Sequence, residues 1–287
     1  MEEVRFGDTA EVLARLGEVG YLADESLAMV VFLADRMQKP LLIEGPAGVG
    51  KTELAKSLAR TLQIPLIRLQ CYEGVDETKT LYEWNYRKQL LRIQSSQGEG
   101  SWDELSEDIF SEPFLLERPV LKAIRSHEPV LLLIDEIDKL DLEAEALLLE
   151  VLSDWQITIP ELGTVEARQV PFVVLTSNDE RELTEALKRR CLYLHLDYPD
   201  VEREKAIVVA RVPGIADKLA GQVVSFVASI RELELKKAPS IAETIDWAMT
   251  LVHLNKDVLD QDTVEQTLSV LLKFRTDIDK VRDELKV

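Results

Sequence analysis

The chain has 287 residues, 46% of them hydrophobic and 30% charged, with 34 basic against 53 acidic side chains and a formal net charge of −19. That length exceeds what one hydrophobic core usually serves, so one large domain and one small one are expected. The acidic excess argues against the chain itself as a general nucleic-acid binder, because phosphate contacts dominate that affinity.

No apolar run approaches the roughly 18 residues of a membrane span, and the first seven residues are polar and acidic, so neither membrane insertion nor a secretory signal is expected. Cys71 and Cys191 stand isolated in apolar surroundings and read as buried thiols in a reducing, cytoplasmic setting. His127, His195 and His253 lie far apart and form no ligand spacing.

Residues 8–39 read as two helices, the second capped by Asp24, with Leu27, Val30, Val31, Ala34 and Met37 at helical spacing. They lead into an apolar strand, Leu41 to Glu44, and then into Gly45-Pro46-Ala47-Gly48-Val49-Gly50-Lys51-Thr52, followed by a helix that opens with Glu53. This is the phosphate-loop spacing G-x-x-x-x-G-K-[ST] in its required setting of strand, turn and helix start. Glycines let the backbone curl so that several N–H groups face one phosphate chain, and the helix N-terminus adds partial positive charge. Lys51 reaches the β- and γ-phosphates in such a loop, and the Thr52 hydroxyl holds Mg²⁺. The other reading is a plain strand-to-helix turn with an incidental lysine.

Leu66 to Cys71 is a second short strand. Tyr72, Tyr82, Trp84 and Tyr86 follow beside Arg87, Lys88 and Arg92, a pattern that suits ordinary packing with a basic rim better than a nucleic-acid surface. Residues 98–112 are acidic with no basic member and read as a solvated insertion or loop. A helix is expected over 115–126.

Val130 to Ile134 is continuously apolar and ends in Asp135-Glu136. Continuous apolarity marks a strand covered on both faces of a parallel sheet. The two carboxylates at its end suit a loop start or a helix cap, for which Asp138 or Asp141 also serve. Beside a phosphate loop they suit chemistry better: Asp135 for the metal and Glu136 for orienting the attacking water.

Residues 141–154 form an amphipathic helix, 156–168 a hairpin around Gly163, and Val170 to Thr176 a strand running into Ser177-Asn178. Asn178 stands where a γ-phosphate or attacking water would sit, although Ser-Asn-Asp is also good turn chemistry. A short helix over 181–188 leads to Arg189-Arg190, which either satisfy its terminal carbonyls or serve a neighbouring subunit's nucleotide as an arginine finger. A strand over 191–196 follows. Beyond Tyr198 the pattern is helical throughout, with helices near 200–211, 213–235, 241–254 and 262–284 and a capping box at Ser240 and Glu243.

The ordered set GPAGVGKT (45–52), LLLIDE (131–136), VVLTSN (173–178) and LKRRC (187–191), with a helical tail, resembles the AAA+ ATPases of the MoxR family. LQCYEGVDE (69–77), LYEWNYRKQLLRIQ (81–94) and APSIAETIDWA (238–248) resemble a subgroup of ATPases associated with maturation of carbon-monoxide dehydrogenase, often encoded beside a von Willebrand factor A-domain protein.

The resemblance implies an α/β fold: a five-stranded parallel P-loop core over residues 1–198 with an insertion within 83–115 and a hairpin near 156–170, then an all-helical lid over 199–287. It implies that 45–52 are Walker A, Asp135 and Glu136 Walker B, Asn178 sensor 1, and Arg190, or else Arg189, the arginine finger. The bound groups would be ATP and Mg²⁺, held between core and lid and completed by a neighbour's arginine in a homo-oligomer, expected to be a hexameric ring. The implied work is chaperone-like remodelling or maturation of a client protein, with an A-domain protein as a further partner. Many MoxR members carry a sensor-2 arginine in a Ser-x-Arg context; here Ser240 is followed by Ala242, leaving Lys236 or Lys237 as substitutes or no such sensor. Two other readings are a nucleotide-gated interaction module and a nucleic-acid motor or loader.

Overall fold

The computed structural model describes residues 5–75, 77–95 and 102–285. They divide into two compact units, one of Met1–Val19, Ala23–Glu44 and Thr52–His195, the other of Gly20–Leu22, Gly45–Lys51 and Leu196–Val287. The expected insertion and the acidic stretch fall partly on residues 96–101, outside the described part of the chain.

The first unit opens with α1 (Thr9–Glu18) and α2 (Glu25–Met37), each begun by an aspartate side chain: Asp8 accepts from the Glu11 N–H and Asp24 from the Leu27 N–H. Asp35 on α2, 6% exposed, fastens the chain entry by accepting from the Arg5 and Phe6 N–H groups and from the Arg5 guanidinium at 3.0 Å. Next come β1 (Leu41–Glu44), α3 (Lys51–Leu62), β2 (Leu66–Gln70), α4 (Glu77–Thr80), β3 (Tyr82–Trp84), α5 (Tyr86–Ser95) and α6 (Trp102–Ile109). They are followed by β4 (Leu115–Glu117), α7 (Pro119–Ile124), β5 (Leu131–Asp135), α8 (Leu142–Asp154), β6 (Gln156–Ile159), β7 (Gly163–Glu166), β8 (Phe172–Ser177), α9 (Glu185–Lys188) and β9 (Leu192–His195).

Five strands form one parallel sheet in the order β2-β5-β8-β1-β9. Because all run the same way, the ends of β2, β5, β8 and β1 reach one edge of the sheet, and the strand order reverses at β1, flanked by β8 and β9. In open α/β sheets that edge and that reversal are where ligands bind. β1, β5 and β8 are buried along their whole length, as continuous apolar runs require. Hydrophobic side chains of β5 and β8 join those of α7 and α8 in the main core.

Two local expectations change. Residues 115–126 are not one helix: Leu115–Glu117 pairs antiparallel with Tyr82–Trp84 and the helix starts at Pro119. Proline lacks the N–H that would continue a preceding turn and fits the first helical position, so the strand ends and the helix begins there. The acidic stretch is not simply loop, since Trp102–Ile109 is helical, and Phe110 just beyond it meets Trp84 edge-on at 5.3 Å. Trp84 and Tyr82 are buried, which settles that part of the aromatic cluster as packing, while Tyr72 and Tyr86 are exposed.

The second unit holds α10 (Val201–Arg211), α11 (Asp217–Arg231), α12 (Ile241–His253), α13 (Gln261–Leu271) and α14 (Arg275–Leu285). The single helix expected over 262–284 is two, because Leu272 turns extended and ends the first. The core of this unit gathers around Trp247, fully buried, whose indole N–H donates to Thr267 at 2.8 Å. Ser240 and Glu243 close the capping box that begins α12.

Candidate functional site

The glycine-rich segment leaves β1 at Gly45 and enters α3 at Lys51. Gly45, Gly48 and Gly50 have φ of +150°, +79° and +101°, a run of backbone that side chains with a Cβ rarely adopt. The amine of Lys51, 5% exposed, donates to the Gly45 and Pro46 carbonyls at 2.6 and 2.8 Å. Ala47 accepts from the Tyr198 hydroxyl at 3.2 Å, and the Gly48 carbonyl accepts from the Ile241 N–H at 3.3 Å. A Cβ on Gly48 would lie 2.1 Å from the Ser240 Cβ, so the loop is in close contact with the start of α12. Val49 is buried, and Glu53, on the first turn of α3, pairs with Arg60 at 2.7 Å.

Across the sheet edge, Thr52 donates its hydroxyl to Asp135 at 3.0 Å (Oδ1) and 3.3 Å (Oδ2). Asp135, 2% exposed, also accepts from the Thr176 hydroxyl at 2.5 Å and from the Arg68 guanidinium at 2.5 Å. Thr176 in turn accepts the Glu136 N–H at 3.0 Å, so one hydroxyl on β8 ties both residues of the carboxylate pair. Glu136 itself stands at φ +59°, ψ +52°, in the left-handed region where a non-glycine residue is uncommon. Asn178 follows β8 directly, and its N–H donates to Asp138 at 3.0 Å.

The paired arginines separate. Arg190 turns back on its own chain, donating Nε to Ser153 and Nη1 to the Ala186 carbonyl. Arg189 is 79% exposed and pairs with the equally exposed Glu185 one turn back. Sequence reasoning missed Arg68 and Thr176: both sit within strands whose general character was read, but only the strand register puts them beside Asp135.

It also missed Arg231 in the second unit. Arg231 forms a bidentate pair with Glu204 at 2.5 and 2.9 Å, donates to the Pro239 carbonyl and stacks 4.3 Å over the Tyr198 ring. The lysines weighed as substitutes for the missing arginine are engaged within that unit, Lys236 over the Phe274 ring and Lys237 with Glu243 at 3.5 Å.

The donor set suits a hard cation. A threonine hydroxyl and a buried carboxylate in contact offer oxygen only, which is Mg²⁺ chemistry, and Mg²⁺ takes one or two carboxylates and completes its shell with phosphate and water. The φ values of the loop glycines fit a backbone that points N–H groups at phosphate.

Fold and site together define a protein of the P-loop nucleotide-binding class: a parallel sheet, a glycine-rich loop after its first strand, and a carboxylate pair at the end of β5, two places along the sheet from β1. A family model for the ATPase family associated with various cellular activities (AAA) matches residues 41–196, and the chain belongs to that family. Over 255 residues it is 29% identical to an uncharacterized protein of Staphylococcus aureus (strain bovine RF122 / ET3-1), covering 86% of each chain. An uncharacterized protein of Staphylococcus haemolyticus (strain JCSC1435) is 27% identical over 269 residues, covering 91% of this chain and 92% of that one.

Among solved structures, a point mutant of Thermotoga maritima RuvB superposes with a TM-score of 0.53 at 18% identity, over 98% of this chain and 78% of that one. The Thermotoga maritima RuvB Holliday junction branch migration motor gives 0.51 at 18%, over 99% and 80%. At that identity the likeness is one of fold. No helix among the described residues is long and apolar enough to cross a membrane.

Proposed function

We propose that this chain is a Mg²⁺-dependent ATPase whose hydrolysis drives remodelling or maturation of a partner protein. The observation that carries the reading is the contact between Thr52 and Asp135, which joins the end of the phosphate loop to the carboxylate pair on β5.

Lys51 and the N–H groups of Gly48, Val49 and Gly50 serve the phosphates. Thr52 and Asp135 hold Mg²⁺, which when bound neutralises phosphate charge. Glu136, one residue further on, orients the attacking water, and Asn178 stands at the next strand end to fix its line of approach. Arg68 and Thr176 hold the Asp135 carboxylate in place.

A neighbouring copy supplies an arginine to the transferring phosphate, as in other enzymes of this chemistry. Arg189 suits that role in the geometry at hand because it is exposed on its own subunit, while Arg190 braces the short helix that carries it. The order from Walker A through the tandem arginines supports the MoxR subgroup and a ring assembly, and the acidic composition favours a protein client over a nucleic acid.

Thr52→Val tests the carrying observation. It should retain metal-free nucleotide binding and lose the gain in affinity that Mg²⁺ confers. An undiminished Mg²⁺ effect contradicts the assignment. Co-purification with an A-domain protein, lost without ATP, supports the remodelling role. A salt-sensitive DNA affinity that stimulates hydrolysis favours the motor reading instead.

A further inference from the structure

Downstream of Glu136 lie two buried carboxylates with no assigned task, and both reach to the same stretch of chain. Asp138, 4% exposed, accepts through Oδ2 from the N–H groups of Asn178 and Glu180 at 3.0 and 3.1 Å, while its Oδ1 is buried and unpartnered. It is not a helix cap: Asp141 takes that task, accepting from the Ala144 N–H at 2.8 Å. Glu145, fully buried on α8, accepts from the Thr184 N–H at 2.9 Å and from the Thr184 hydroxyl, and pairs with Arg181 at 2.6 Å.

Thr184 is the residue that caps α9, the helix that Arg189 and Arg190 directly follow. Lys139 pairs with Glu180 between these points, and Ser153, at the far end of α8, accepts from Arg190. Residues 138–153 thus hold residues 178–190 by side chains at successive places from Asn178 to Arg190. The held segment turns at Asp179, φ +60°, a left-handed conformation that aspartate tolerates better than most residues with a Cβ.

We propose that Asp138 and Glu145 are positioning residues. Asp138 sets Asn178 against Glu136, and Glu145 sets the arginine-bearing helix against the same turn. A change at Glu136 when phosphate is lost is then passed along one rigid segment to the arginines offered to the next subunit. This rests on the ATPase reading above and adds to it a route between one hydrolytic site and the next. The charge sits where backbone N–H groups converge, so the hold is charge-assisted and directional.

The first test is steady-state hydrolysis by Asp138→Ala and Asp138→Asn in the full chain. Asp138→Ala should lower kcat at least 10-fold with the KM for ATP and the nucleotide Kd within about 3-fold. Asp138→Asn should recover most of that loss, because one amide oxygen can accept both N–H groups as Oδ2 does. An alanine variant of undiminished kcat, or an asparagine variant as slow as the alanine one, overturns the proposal for Asp138.

The second test needs no alanine at Asp138 and stands if that chain fails to fold. Subunits carrying Glu136→Gln, which present arginines but do not hydrolyse, are mixed with Arg189→Ala/Arg190→Ala subunits, which have an intact Glu136. Rescue of hydrolysis in the mixture measures arginine supply. Adding Glu145→Gln to the donor should cut rescue at least 5-fold while its own ATP binding stays unchanged. The same substitution in the recipient should cost less. Full rescue by the Glu145→Gln donor, or equal loss from either side, overturns the route through α9. Absence of Mg²⁺-dependent turnover in the unmodified chain defeats the ATPase reading itself, and turnover by Glu136→Gln alone at the wild-type rate defeats the role of Glu136, which separates these failures from that of the route.

Discussion

Gly48→Ala puts the structure of the phosphate loop under a quantitative test. The position has φ +79°, so an alanine carries left-handed strain of about 1–2 kcal/mol. Its Cβ would also lie 2.1 Å from the Ser240 Cβ and 2.7 Å from the hydroxyl. Carbon atoms pack at about 3.5–4.0 Å, so Ser240 would have to withdraw by roughly 1.5 Å. Ser240 cannot do so by rotating its side chain, because the Cβ moves only with the backbone, and that backbone begins α12 within a closed capping box.

Losing the cap costs about 1 kcal/mol, for a total of about 2–3 kcal/mol in urea unfolding followed by circular dichroism. Gly50→Ala is the control: its φ is +101° but nothing lies within 4 Å of the new Cβ, leaving strain alone. Ser240→Gly is a mild change, since glycine at a helix N-cap costs only a few tenths of a kcal/mol. It should reduce the penalty of Gly48→Ala by about 1 kcal/mol, beyond the roughly 0.3–0.5 kcal/mol of ordinary additivity, and leave that of Gly50→Ala unchanged. If Ser240→Gly fails to relieve Gly48→Ala, the loop does not meet α12 as described and the reasoning is wrong.

Other outcomes follow from the same structure. Glu204→Ala strips the partner from Arg231, which is only 11% exposed, and should destabilise the protein by about 3–5 kcal/mol, read from the urea midpoint. Burial first, then the nearby Asp135 carboxylate, pushes the Cys71 thiol up to about 12, and burial does the same for Cys191. Both should therefore ignore a chromogenic thiol reagent at pH 9 and react together once the chain is unfolded. The raised value also fixes the sign of the pH effect. The unfolded thiols release protons near their ordinary value of about 8.5 while the folded ones keep them. Stability should thus fall as pH rises above that point, and Cys71→Ala/Cys191→Ala should flatten the decline measured by urea titration at successive pH values.

Much of this arrangement is legible in the sequence because it rests on short, local signals. The apolar run from Val130 to Ile134 ending in two carboxylates, and the loop from Gly45 to Thr52, each declare their structure within ten residues. The Ser240–Glu243 capping box does so within four. What escaped depends on register or on reach. Thr176 and Arg68 reveal their roles only once β5 is paired with β8 and β2. Asp138 and Asp141 look alike in sequence, yet one begins a helix and the other crosses 40 positions to Asn178. Glu145 reads as one more acid on an amphipathic helix until its 0% exposure is known. The expected helix over 115–126 failed because apolar spacing there outweighed Pro119, whose missing N–H sets the helix start.

The central claim is that Glu136 serves the attacking water while the phosphate loop binds the nucleotide independently of it. Glu136→Gln, with ATP affinity measured by equilibrium binding and turnover by phosphate release under saturating Mg²⁺, tests this most directly. The account predicts an ATP Kd within about 3-fold of wild type and a kcat lowered at least 100-fold. Turnover at the wild-type rate, or loss of binding together with turnover, would contradict it.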